Sequence, residues 1–258
     1  MNYPSPWEYA MPAQPVPEGV DWDMWCGPTE PVPYNENLYI PRPTSTLVGP
    51  GWLSFRSYSG GEMTGWGAHG FDMVQAALGM DAAGPSEIWT EGPKYAPPKY
   101  IGPQGKELGD KICSVPKVFF RYPSGAVMEL VEKGPSGEKL PSFGGIFIGE
   151  KGAMSIDRGR IASTPDELAE NLMRQRPRGF DDNNITNWLD CIRSRKLPNA
   201  DIEIGHRSAT VCHLGNIARW TGRKLKWNSE REIFPDDPAA NTLLDRPRRQ
   251  PWELPKSV

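Results

Sequence analysis

The 258 residues carry 29 Lys plus Arg against 32 Asp plus Glu, a net charge of −3. A chain of this length makes one large domain or two small ones, and its charge balance offers no basic face for nucleic acid or an anionic membrane. No run of about 18 apolar residues exists to span a bilayer, and four widely spaced cysteines without a C-x-x-C pair argue against a zinc ribbon or redox dithiol.

Residues 1–50 hold eleven of the 28 prolines, interleaved with Trp7, Trp22, Trp25, Tyr34 and Tyr39. Disordered segments are poor in aromatics, so this stretch is expected to lie as an ordered, extended strap. Its opening residues show neither the charged start nor the apolar core of a signal peptide. A cytoplasmic location is therefore the default, with any export signal left to a longer N-terminus.

An α+β domain is expected over 51–227. Trp66 to Leu78 reads as its first helix, with Phe71, Val74, Gln75 and Leu78 at helical spacing and Gly79 placed to stop it. Strand-like runs follow at Ser86–Thr90, Val115–Tyr122, Ala126–Glu132, Phe143–Gly149 and Ala153–Asp157. Pro123-Ser124-Gly125 and Glu150-Lys151-Gly152 supply two hairpin connections. The alternation predicts an antiparallel sheet with one covered face. Asp181–Arg195 and Glu203–Thr221 read as two further helices, the first with Ile185, Trp188, Leu189 and Ile192 on one face. Residues 228–258, rich in Pro and Arg, are expected to wrap the surface as a tail. Strands grouped together, with helices before and after, point to α+β rather than alternating β/α units.

Gly60–Asp72, GGEMTGWGAHGFD, is the most chemically suggestive stretch. Gly65-Trp66-Gly67-Ala68-His69-Gly70 satisfies G-x-G-x-x-G, and Glu91 lies about 20 residues on. The fingerprint works mechanically only when a buried strand ends at its first glycine, and Ser59 to Thr64 is loop chemistry. His69 at the start of a helix suits proton transfer near neutral pH, and Asp72, one turn on, would orient it. A helix-start cap for His69 and an Arg partner for Asp72 remain the alternatives. His206 and His213 stand about 10 Å apart along one helix, too far to share an ion unaided, so no metal is expected. Arg207 beside them offers a guanidinium for a sugar hydroxyl or carboxylate. Glu18, Asp21 and Asp23 among the tryptophans suit either carbohydrate recognition or packing.

Four segments carry a broader likeness: PVPEGVDWDMWCGPTEPVPYN, SFRSYSGGEMTGWGAHGFDMVQAALGMDAAGPSEIW, GGIFIGEKGAMSIDRG and WLDCIRSRKLPNADIEIGHRSATVCHLGNIARWTGRKLKWN. In order and over about residues 12–254, the chain resembles the Gfo/Idh/MocA oxidoreductases, and within them the bacterial branch associated with sugar metabolism. It is similar to the C-terminal half alone, because the family's Rossmann domain and Glu-Lys-Pro lysine have no counterpart here. The resemblance implies a mostly antiparallel open sheet with helices on one face, whose open face makes a homo-oligomer contact. It also implies NAD or NADP as cofactor, with no binding site for it in these residues, and a carbohydrate or polyol substrate. His69 matches the family's proton-transferring His, while Gly65 stands where the family places an Asp. Asp72 matches the Asp that follows, and Arg56, Tyr58, Trp66 and Arg207 match segments that line family substrate pockets.

Three functions follow as expectations. The chain is the substrate-binding and oligomerisation half of an NAD(P)-dependent sugar or polyol oxidoreductase, with His69 as general acid/base and a separate Rossmann subunit or domain as partner. Alternatively it is a cofactor-independent lyase or hydrolase on keto-sugars, a reading to which the missing Asp at Gly65 lends itself. The third possibility is a non-catalytic sugar-binding or scaffold domain.

Overall fold

The structure, a computed structural model, describes residues 1–8, 11–38, 51–97, 99, 106–174 and 183–255. Residues 9, 10 and 39–50 of the expected strap, the Asp181-Asp182 start of the expected helix and the last three tail residues lie outside that set. The chain divides into two compact units. One comprises Met1 with Trp66–Gly84 and Val131–Cys212; the other comprises Asn2–Gly65, Pro85–Leu130 and His213–Val258.

In the first unit, helix α2 spans Trp66–Ala77 and buries Gly67, Gly70, Phe71, Val74 and Gln75 along one stripe. The expected helical face is therefore the buried one. Gln75 is its polar member, and it is used: Nε2 donates to the carbonyls of Met80 and Ala83 at 3.1 Å each. The helix closes with the 6→1 and 5→2 bonds of a Schellman motif, Met80 N–H to Gln75 O and Gly79 N–H to Ala76 O. Gly79 takes φ +66° there, which a side chain would resist.

Strands β4 (Gly145–Gly149), β5 (Gly152–Asp157) and β6 (Arg160–Thr164) form an antiparallel sheet in that order. Glu150-Lys151 closes the first hairpin, with Gly149 opposite Gly152. Helix α2 approaches β4 at Gly145, where an added Cβ would meet Val74 Cγ2 at 3.4 Å. Helix α4 (Glu167–Arg174) packs on β6, its start tied by Ser163 Oγ accepting from Ala169 N–H at 2.8 Å. Neither β6 nor α4 stood out in the sequence. Helix α5 (Asn184–Ser194) is capped by Asn183, whose side chain accepts from Ile185 N–H. Its apolar face of Ile185, Trp188, Leu189 and Ile192 is exposed. Helix α6 (Ile202–Thr221) contributes to this unit as far as Cys212.

The second unit holds a four-stranded antiparallel sheet in the order β3-β2-β1-β7, built from β1 (Glu87–Glu91), β2 (Lys117–Arg121), β3 (Val127–Glu129) and β7 (Leu225–Lys226). The α+β antiparallel class is thus as expected, with the strands in two separate ladders. Ile88, Val118 and Phe120 are fully buried, and α6 meets this sheet at Gly215, where a Cβ would stand 3.1 Å from the Phe120 ring.

In the described part of the strap, Tyr3, Trp7, Met11, Tyr34 and Leu38 are buried. It is not extended throughout, because Asp21 caps a short helix, α1 (Trp22–Cys26). Trp7 bonds through its backbone to Ser54 and Arg56 and sets its ring edge-on to Phe55. Helix α3 (Lys106–Cys113) brings Gly109 against the Trp7 indole. The tail is likewise anchored. Phe234 and Ala240 are fully buried, α7 (Pro238–Asn241) is capped by Asp237, and Arg249 reaches the carbonyls of Asp23 and Thr29.

A knot of hydrogen bonds holds the beginning of the strap. Arg219 on α6 is 1% exposed. Its guanidinium donates to the carbonyls of Tyr3, Cys113, Ser114 and Pro116, to Ser5 Oγ and to Asn2 Oδ1, at 2.6–3.1 Å. Delocalised charge and a planar fork of donors let arginine satisfy several carbonyls at once, which a lysine does less well.

Candidate functional site

The stripe of α2 opposite its buried face carries Trp66, His69, Asp72 and Met73, spaced at three and four residues so that they share one side of the helix. Within the first unit, Ala68, His69, Asp72 and Met73 of α2 line a cleft of about 380 Å³ with Arg158 and with Gly205, Ser208 and Ala209 of α6. Gly205, Ser208 and Ala209 recur at i, i+3 and i+4 and so form the facing wall.

Each polar group in the cleft has a defined partner. Asp72 Oδ1 accepts from Ser208 Oγ at 2.7 Å, a bond that joins α2 to α6. His69 Nδ1 receives Arg158 Nη2 at 2.9 Å. An arginine only donates, so Nδ1 is the acceptor and the ring proton of the neutral imidazole sits on Nε2. Phe143 stands edge-on to the His69 ring at 5.5 Å, and the Arg158 guanidinium lies 4.0 Å over its centroid. Trp66, 38% exposed, packs within 5.2 Å of Phe143 and 5.9 Å of His69.

Asp157 fixes this arrangement. It ends β5, and the turn to β6 passes through Arg158 and Gly159, the latter at φ +67°. Burial works against its charge, but the N–H groups of Ser142, Arg158 and Phe143, with the nearby Arg158 guanidinium, outweigh it and hold the carboxyl below its ordinary range. One carboxylate therefore ties the residue carrying the guanidinium to the residue carrying the ring it stacks on.

Of the residues singled out from sequence, His69 and Asp72 line the cleft and Trp66 stands beside it. Arg207 points its guanidinium at Glu203, one turn back on α6, at 2.7 Å. Arg56 and Tyr58 belong to the second unit. There Arg56 lies 4.0 Å over the Trp220 ring and pairs with Glu8, and Tyr58 OH approaches Cys26 Sγ at 3.6 Å beside Trp25. Sequence reasoning missed Arg158 and Ser208. The Asp-Arg-Gly run marks a turn, but which way Arg158 points depends on the pairing of β5 with β6.

The glycine run does not fit a dinucleotide. Residues 62–65 ahead of α2 are turns rather than a strand, and Gly67 and Gly70 lie inside the helix, so no loop of free N–H groups is left to cradle a pyrophosphate. Among the described residues no three His, Cys, Asp or Glu groups converge as metal ligands, and no helix is long and apolar enough to cross a membrane. A search of the curated proteins returns no match. A family model described as the oxidoreductase family, C-terminal alpha/beta domain, matches residues 6–254.

Proposed function

The chain belongs to the Gfo/Idh/MocA oxidoreductase family through its C-terminal alpha/beta domain, and from that premise we propose that it is the substrate-binding half of an NAD(P)-dependent sugar or polyol oxidoreductase. The observation that carries this reading is the cleft, which gathers an imidazole, a carboxylate, a guanidinium and a buried hydroxyl beside an exposed indole. Sugar C–H faces pack on aromatic rings while their hydroxyls bond to charged groups, and a few convergent polar groups suffice to orient a small ligand. The nicotinamide that serves this family is held, in this reading, by a domain or subunit outside these residues.

The residues of the chain bind the substrate and handle its proton. His69 takes the proton of the reacting hydroxyl in oxidation and returns it in reduction. Asp72, oriented by Ser208, accepts a neighbouring hydroxyl and holds the ring in place. Self-association through the sheet of one unit belongs to the same proposal.

The test is His69→Gln in the native assembly purified from its source cells. The expected result is a loss of sugar turnover of about 10²–10⁴-fold, with ligand affinity kept within a few-fold. An undiminished rate would overturn the role given to His69. The intact mass of the native polypeptide locates the cofactor domain: a value well above 28.7 kDa puts it on the same chain, and a matching value puts it on another subunit.

A further inference from the structure

Arg158 differs from the arginines of this chain that form ion pairs. Arg121, Arg174, Arg193, Arg207, Arg223, Arg248 and Arg249 each pair with a carboxylate. Arg158 has no carboxylate within ion-pair distance among the described residues, and its guanidinium bonds instead to a neutral ring nitrogen. Its backbone is nonetheless fixed by Asp157 and its guanidinium plane by Phe143. A positioned cation that lines a cleft and whose hydrogen bond, among the described residues, goes to a neutral acceptor is suited to an oxyanion, for which the guanidinium offers two parallel N–H groups.

The other side of the cleft has the opposite character. Among the described residues Asp72 bonds Ser208 through Oδ1 alone, which leaves Oδ2 to accept ligand hydroxyls. We propose that Arg158 is the anion-binding residue of the cleft, so that the ligand is a sugar or polyol bearing a carboxylate or phosphate group; the inference rests on the sugar-binding reading above. An arriving oxyanion competes with His69 for Arg158 Nη2. Drawing the guanidinium away returns the Nδ1 lone pair, so His69 becomes a free base only when an anionic ligand is in place.

The experiment is isothermal titration of the chain with D-glucose, D-glucuronate and D-glucose 6-phosphate, repeated on Arg158→Gln and Arg158→Lys. One of the two anionic probes is expected to bind at least about tenfold tighter than glucose, a factor equal to about 1.4 kcal/mol, and which of them does so separates carboxylate from phosphate. In Arg158→Gln the ratio of anionic to neutral affinity should fall to about one, and Arg158→Lys should restore part of it. In parallel, ¹⁵N spectra of labelled histidine should show the His69 Nδ1 resonance moving on addition of the preferred anion toward its position in Arg158→Gln. Equal affinity for all three probes, or a preference that survives Arg158→Gln, overturns the anion site while sugar binding stands. Failure of all three to bind overturns both readings.

Discussion

Arg219 offers the sharpest quantitative test of how the second unit is held together. Replacing it by alanine leaves four backbone carbonyls, those of Tyr3, Cys113, Ser114 and Pro116, without their charged donor in a region closed to water. Each buried acceptor left unmet costs about 1–3 kcal/mol. The four losses do not add, because residues 2–5 can detach together and find water, and because the mutant no longer buries a cation. Discounted accordingly, the four unmet acceptors leave a loss of about 3–5 kcal/mol, which is a large share of the roughly 5–15 kcal/mol that holds a typical domain. Arg219→Ala should therefore lower stability by about 3–5 kcal/mol. Arg219→Lys should fall between, since three donors on a flexible stem replace five in a plane. Urea denaturation followed by tryptophan fluorescence measures both, and a double-mutant cycle with Asn2→Ala should return a coupling of about 1 kcal/mol or more. A loss under about 1 kcal/mol for Arg219→Ala would refute the reasoning, for it would mean that the carbonyls are satisfied without the guanidinium.

Two further outcomes follow from the packing and the charges. Gly109→Ala places a methyl inside the Trp7 ring and should cost about 1–3 kcal/mol, read as a lowered urea midpoint; an unchanged midpoint would mean that Trp7 moves freely. Asp157 has a folded-state pKa below its ordinary value, so its stabilising contribution is complete above about pH 4 and is lost as the pH falls through the folded value. Urea midpoints recorded from pH 6 to pH 3 should thus fall more steeply in the native protein than in Asp157→Asn, and parallel curves would remove Asp157 from the account.

Legibility in the sequence tracked how local the signal was. Helix α2 announced itself because Phe71, Val74 and Gln75 repeat at helical spacing and Gly79 supplies the left-handed stop. His69 and Asp72 were legible for the same reason, as neighbours on the other stripe of that helix. Arg158 was not, since its direction is set by a turn whose geometry depends on β5 pairing with β6. Strand β6 itself, Arg-Ile-Ala-Ser-Thr, has one large apolar residue and no pattern to declare it. Ser208 was hidden because a serine inside a helix carries no signal until its partner, 136 positions away in sequence, is in place. The α5 stripe shows the limit from the other side: periodicity reveals that Ile185, Trp188, Leu189 and Ile192 share a face, but not what that face meets.

The cysteines sort themselves by reactivity. Burial pushes the Cys113 and Cys212 thiols up to about 12, so neither carries a useful fraction of thiolate at neutral pH. Cys26 is 2% exposed. Cys191 alone among the four is only partly covered, and it sits on α5 within the same helix as the exposed Trp188 and Ile192. Thiol-directed reagents are thus steered to a single address. A dye or spin label attached at Cys191 would ride on the helix that exposes Ile185, Trp188, Leu189 and Ile192, turning a residue of no chemical consequence to the cleft into a reporter of what the helix meets.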